Sequence, residues 1–156
     1  MIRAWRIVKS IYKDSAFNGE GARLYGGRWN TPGHPAVYVA SSQALAVLEI
    51  MANGLMIEDA ENFVFVSVNF PETFVQEIST TDLSQNWATS PAPESTKIIG
   101  DRWLASGFSV ALKVPSVIVP DECNYLLNPH HPDFASLAIG SSRFFRIDTR
   151  LFNYYG

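Results

Sequence analysis

The chain has 156 residues, 47% hydrophobic and 13% aromatic, with a formal net charge of −3. That length favours one domain, 1–156, able to bury roughly 70% of the surface its unfolded chain exposes. The composition excludes disorder, and the acidic balance gives no general pull on nucleic acid or anionic membrane, so direct binding to either is not expected.

Of the 12 basic residues 8 are arginines, which suits placed contacts to a small anion. Cys123 is the only cysteine, which fits a reducing compartment. The first residues lack the apolar core of a signal peptide, and no apolar run approaches the ~18 residues of a membrane span. A soluble, cytoplasmic protein is the expectation.

In chain order, Ala4 to Val8 reads as a strand by its alternation. Lys9 to Pro35 reads as one long loop, and loops beyond about 12–15 residues are usually functional or disordered. Its aromatics, Tyr12, Phe17, Tyr25 and Trp29, favour an ordered one. Ala36 to Ala40 is a short buried strand. Ser41 or Ser42 caps a helix that runs to about Asn53 and stops at Gly54. Ala44, Val47, Leu48, Met51 and Leu55 form its expected core stripe.

Strands are expected over Phe63 to Phe70 and Phe74 to Ile78, then a polar surface loop from Thr80 to Pro93. Glu94 to Ser106 reads as a helix stopped by Gly107, although Gly100 inside it costs about 1 kcal/mol relative to Ala. Ser109 to Val119 is β, broken at Pro115-Ser116. Asn124 to Pro132 reads as a turn-rich loop and Ser142 to Asp148 as a closing strand. Strands outnumber helices and are irregularly interspersed, which points to α+β.

Several chemistries fail on pattern. Gly19-Glu20-Gly21 lacks the third glycine and the strand-to-helix turn of a dinucleotide fingerprint, and there is no P-loop. His34, His130, His131 and Cys123 have no metal-ligand spacing, so no metal is expected. Cys123 lies beside Asp121 and Glu122, which disfavour a thiolate, and no Gly-x-Ser-x-Gly elbow is present.

What remains centres on Gly26-Gly27-Arg28-Trp29-Asn30. Arg28 is bracketed by Gly27, which lets a ligand approach the backbone, and Trp29, which offers a bracing surface. Arg6, between Trp5 and Ile7, is oddly placed for a solvated charge, and either arginine suits phosphate. Glu49 has Leu45, Ala46, Ala52 and Asn53 at helical spacing, so no local ion pair accounts for it. It reads either as an ordinary half-exposed glutamate or as a carboxylate facing a pocket. Ser116 reads as a turn hydroxyl, and Asn124 and Asn128 as turn amides.

These stretches together resemble the RES-domain toxins. The matching segments are Gly26-Gly27-Arg28-Trp29-Asn30, Ala36-Val37-Tyr38-Val39-Ala40, the helix Ala44 to Glu49, Val114-Pro115-Ser116 and Asn124-Tyr125-Leu126-Leu127-Asn128-Pro129. The resemblance implies an ADP-ribosyltransferase-like split β-sheet core with a few flanking helices around a cleft that binds NAD. It implies NAD breakdown at the nicotinamide–ribose bond as a growth-inhibiting toxin, and a cognate Xre-type helix-turn-helix antitoxin as partner. NAD is then substrate, with no prosthetic group.

The family's Arg, Glu and Ser fall on Arg28, Glu49 and Ser116, with Tyr38 beside them. Arg28 and Arg6 are expected on phosphate, Tyr38 on nicotinamide, Glu49 at the ribose, and Ser116 at the nicotinamide amide or ribose. Asn128 is expected among the cofactor-binding residues, helping to order the site. In the diphtheria-toxin-like branch of ADP-ribosylating enzymes, two tyrosines spaced like Tyr38 and Glu49 flank the nicotinamide. A glutamate at the second place puts a direct transfer of that branch's catalytic-glutamate role in doubt, and Ser116 is the candidate for that glutamate's place. Water, phosphate or a protein side chain remains open as ADP-ribose acceptor, as does a nucleotide-binding module without chemistry.

Overall fold

Ile2–Lys9 (β1) and Phe63–Phe70 (β3) pair antiparallel over eight residues each, from Ile2 opposite Phe70 to Lys9 opposite Phe63. They form the longest ladder in the computed structural model, which describes residues 1–152. Val37–Ala40 (β2), Val75–Glu77 (β4), Ala111–Pro115 (β5), Cys123–Leu127 (β6), Ala138–Ile139 (β7) and Arg143–Phe145 (β8) complete one mixed sheet. Its order is β4-β5-β6-β2-β1-β3-β7, with β8 also on β3, and among the described residues only β4 and β5 run parallel. With three α-helices, Glu20–Tyr25 (α1), Gln43–Ala52 (α2) and Glu94–Ser106 (α3), the α+β class expected from the sequence is the one observed.

The sheet is nearly divided in two. β2 pairs with β6 over four residues, but β1 and β2 share a single ladder pair, Trp5 opposite Ala40. Beyond it the strands part. An extended ladder would have set Ile7 opposite Tyr38; instead the Arg6 Nη1 donates across the gap to the Tyr38 carbonyl at 3.0 Å.

Both sheet faces are covered, which explains the unbroken apolar run of β2. Val37 and Val39 join Ala4, Val68, Phe70, Ala111 and Leu127 in one core. On the other face Ala40 packs under α2 with Leu45, Ala46, Val47 and Phe65, while Leu112, Val114 and Leu126 pack with Trp29 and Trp103 under α3.

Four sequence expectations change. The stretch Lys9 to Pro35 is not one loop: it holds a 3₁₀ turn at Ser10–Ser15 and the six-residue α1. Asn124 to Pro132 is not a turn-rich loop at its start, because β6 runs through Leu127 between β2 and β5. The closing strand shrinks to Arg143–Phe145. The core stripe of α2 is rotated: Leu45, Ala46 and Val47 are buried, whereas Leu48 is 40% exposed. Glu49, three and four residues from Ala46 and Leu45, therefore lies on the packed face. Ser42 caps α2, accepting from the Leu45 N–H at 3.0 Å. Phe152 packs against Ala60, Phe63 and Ile147. Tyr154 and Tyr155 lie outside the described residues.

Gly100 is where α3 meets the Gly26-Gly27-Arg28-Trp29-Asn30 turn. A Cβ there would collide with the Trp29 carbonyl oxygen. Its cost in helix propensity is thus the condition for close contact. Gly100→Ala is expected to destabilise the fold by about 1–3 kcal/mol, although the same change in an exposed helix would stabilise it by about 1 kcal/mol. Urea unfolding checks the sign.

Candidate active site

The split in the sheet opens a cleft of about 770 Å³. One wall is β1 and β2, with Trp5, Arg6, Tyr38 and Ala40. Another is α2 and its C-cap, with Ala46, Glu49 and Asn53. The rim is formed by α1, the turn at Gly27-Arg28, Lys97 of α3 and the Pro115 to Ile118 segment, and Asn124 of β6 also lines it.

Glu49 projects from the packed face of α2 and is held from two other elements. The Ser116 Oγ donates to its Oε1 at 2.8 Å and the Asn124 Nδ2 donates to the same oxygen at 2.7 Å. Ser116 is fully buried. Its hydroxyl also accepts from the Ile118 and Val119 N–H groups at 3.1 and 3.2 Å. With both lone pairs engaged, its one proton is directed at the carboxylate. Expected at the nicotinamide amide or ribose, Ser116 is placed behind Glu49, with its hydroxyl engaged by that carboxylate and by the turn after β5.

Arg28 sits half-buried on the facing rim. Its Nη1 donates to the carbonyls of Trp87 and Thr89 at 2.9 and 2.8 Å. This holds the guanidinium against the Thr80 to Pro93 segment. Desolvation holds its pKa below the usual arginine value, and the negative charge of Glu49 opposes that shift. Arg6 is the more desolvated arginine: burial lowers its pKa to about 10, still protonated at neutral pH, and its buried Nε has no partner.

The Tyr38 ring lines the cleft, and its hydroxyl is occupied. It donates to the Asn30 Oδ1 at 2.6 Å and accepts from the Trp29 N–H at 3.1 Å. Burial, the largest influence, raises its pKa above the ordinary phenol value. Asn30 is fully buried and its Nδ2 donates to the carbonyls of Ala22, Thr31 and His34. The turn is further tied to α3 by the Thr96 hydroxyl on the Arg28 carbonyl at 2.7 Å, and by Asp101, which accepts from the Thr31 N–H and hydroxyl. Trp29, 3% exposed, braces the turn in the core.

Arg28, Tyr38, Glu49 and Arg6 thus come together around one cleft. Asn128 does not. It is buried beyond the end of β6, where its Nδ2 reaches the Leu104 carbonyl and its Oδ1 accepts from the His130 N–H. Expected among the cofactor-binding residues, it is instead seated in the loop after β6 and does not line the cleft. The residue missed is Asn124, which its neighbours Asn128 and Pro129 disguised as part of a turn. Its place opposite both Ala40 and Val114 on a central strand is a tertiary fact without a local signal.

Comparison with known proteins gives the chain a family. The RES domain family model matches residues 3–148. A protein of Photorhabdus laumondii named Toxin Res is 41% identical over 149 residues, spanning 94% of this chain and 95% of its own length. A Sphingobium protein named Prs ADP-ribosylating toxin is 36% identical over 156 residues, spanning 94% of each. Mycobacterium tuberculosis MbcT, named as an NAD(+) phosphorylase, is 33% identical over 91 residues, spanning 56% of this chain and 49% of its own length. The fold matches a chain in the crystal structure of the M. tuberculosis MbcT–MbcA toxin–antitoxin complex, with a TM-score of 0.74 at 19% identity, over 97% of this chain and 86% of that one. Matched by the family model along most of its length and by full-length relatives above one-third identity, the chain belongs to the RES domain family.

Proposed function

We propose that this chain is the toxin of a type II toxin–antitoxin system and degrades NAD by breaking its nicotinamide–ribose bond, with water as acceptor. The observation that carries the proposal is Glu49, a carboxylate held by two donors on the wall of a cleft whose other charged lining residues, Arg6, Arg28 and Lys97, are all cationic.

The bond between C1′ of the ribose and the nicotinamide nitrogen breaks with its electron pair going to the nicotinamide, which leaves neutral, while positive charge develops on the ribose. Arg28 and Arg6, both lining the cleft, bind the pyrophosphate. The Tyr38 ring stacks on nicotinamide. Glu49 offsets the developing ribose charge and orients the attacking water, whose proton passes to solvent. Ser116 acts through Glu49. The resident partner is a cognate Xre-type antitoxin that covers the cleft in the cytoplasm.

Phosphate is the second reading for the acceptor. The name given to MbcT and the cationic lining of the cleft favour it. Purified protein incubated with NAD is expected to release nicotinamide, and the co-product identifies the acceptor: free ADP-ribose for water, a phosphorylated ADP-ribose that appears only with added phosphate for phosphorolysis, a labelled protein band in lysate for transfer. No nicotinamide release under any of these conditions would overturn the proposal in favour of a binding module.

Glu49→Gln keeps an oxygen for Ser116 and Asn124 but removes the charge. Nicotinamide release is expected to fall about 10²–10³-fold with thermal unfolding unchanged. Arg28→Lys exchanges a planar fork for a point charge. The KM for NAD is expected to rise about tenfold, equivalent to roughly 1.4 kcal/mol, in steady-state kinetics.

A further inference from the structure

We infer that Asn124 is a positioning residue for Glu49: its amide fixes which carboxylate oxygen faces the wall and which faces the cleft. This rests on reading the cleft as the site of NAD cleavage. Glutamate on a helix has three rotatable side-chain bonds, and a carboxylate free to roll presents either oxygen to a ligand. Here Oε1 receives both hydrogen bonds, from Asn124 at 2.7 Å and Ser116 at 2.8 Å, so Oε2 is the oxygen left for the ribose or the water.

The two donors differ in how they are held. Ser116 is set by the turn after β5. Asn124 is set by the sheet, in register with Ala40 of β2 on one side and Val114 of β5 on the other. Directly opposed residues of antiparallel strands share a face, so Asn124 shares the face on which Ala40 packs beneath α2. The amide therefore ties α2 to the centre of the sheet through the reactive carboxylate itself. A hydroxyl and an amide nitrogen that both donate to one oxygen define a direction that one donor alone leaves free to swing.

The other charged or titratable groups lining the cleft are Arg6, Tyr25, Arg28, Tyr38 and Lys97, none a carboxylate. A second acid at position 124 would thus introduce a new titration. Two carboxylates in such contact share one proton. While that proton resides on Asp in Asn124→Asp, it donates to Glu49 as the amide does; once it leaves, the two charges repel.

The test uses three purified proteins: wild type, Asn124→Ala and Asn124→Asp. Thermal unfolding serves as the folding control. Asn124→Ala is expected to lower kcat for nicotinamide release about ten- to a hundredfold with KM within about twofold. Asn124→Asp is expected to keep activity at acidic pH and lose it as pH rises, a falling limb absent from wild type. A kcat and pH profile like wild type in both variants would overturn the role, and so would a raised KM at unchanged kcat, which marks a ligand contact instead. A readout independent of turnover is the ¹³C resonance of the Glu49 carboxyl at fixed pH, expected to move in Asn124→Ala; an unmoved resonance counts against the bond. A wild type that releases no nicotinamide sinks the NAD reading, while the resonance still decides the hydrogen bond.

Discussion

Everything at this site depends on two strands that part after one rung. A sheet is held by paired backbone groups, and where a ladder stops in the interior the freed carbonyls and N–H groups need other partners. Trp5 and Ala40 make the last pair between β1 and β2. The Tyr38 carbonyl is then met by Arg6. The arginine closes the gap in hydrogen bonding without closing it in space, since a side chain reaches farther than a neighbouring strand. A cleft is left in the middle of a sheet rather than at its edge, with a desolvated cation built into its wall. That cation has a structural reason to be there in addition to any ligand it meets.

The same economy appears on the other wall. Glu49 lies on the packed face of α2, where a carboxylate is tolerated only if donors reach it. Ser116 and Asn124 supply them. Each comes from a different part of the chain, so the carboxylate also fastens the helix, the turn after β5 and the central strand β6 together. This accounts for Ser116 being fully buried although the family resemblance groups it with Arg28 and Glu49.

What the sequence made legible follows from how local each signal is. α2 and α3 were readable with their stops because Ser42, Gly54 and Gly107 act within one turn, and Gly54 and Gly107 have the positive φ such stops require. Arg28, Tyr38 and Glu49 were legible as a group through the family resemblance, and the absence of a local partner for Glu49 already set it apart. α1 was hidden because six residues between Gly19 and Gly26 offer too little periodicity. β6 was hidden because Asn124, Asn128 and Pro129 carry turn propensity, which pairing on both sides overrides. The α2 stripe was misplaced for a related reason: Leu48 is apolar but exposed, and Ala46 is small but buried. Neither fact is encoded in the helix alone.

Gly-Gly-Arg-Trp-Asn is best understood as a wall that α3 holds in place. Gly27 leaves room for the Tyr38 hydroxyl, because a Cβ there would approach it to 2.7 Å. Gly100 leaves room for the Trp29 backbone, and Thr96 and Asp101 anchor the turn on either side of it. A glycine in a flexible loop is usually taken as freedom; here both glycines serve contact, and the turn is fixed by side chains more than sixty residues away in sequence. Arg28 is then presented to the cleft from a braced turn, with two of its hydrogen bonds already spent on the carbonyls of Trp87 and Thr89. A guanidinium so anchored loses little further freedom when an anion arrives, which is how a small acidic domain can grip an anionic ligand without a basic surface.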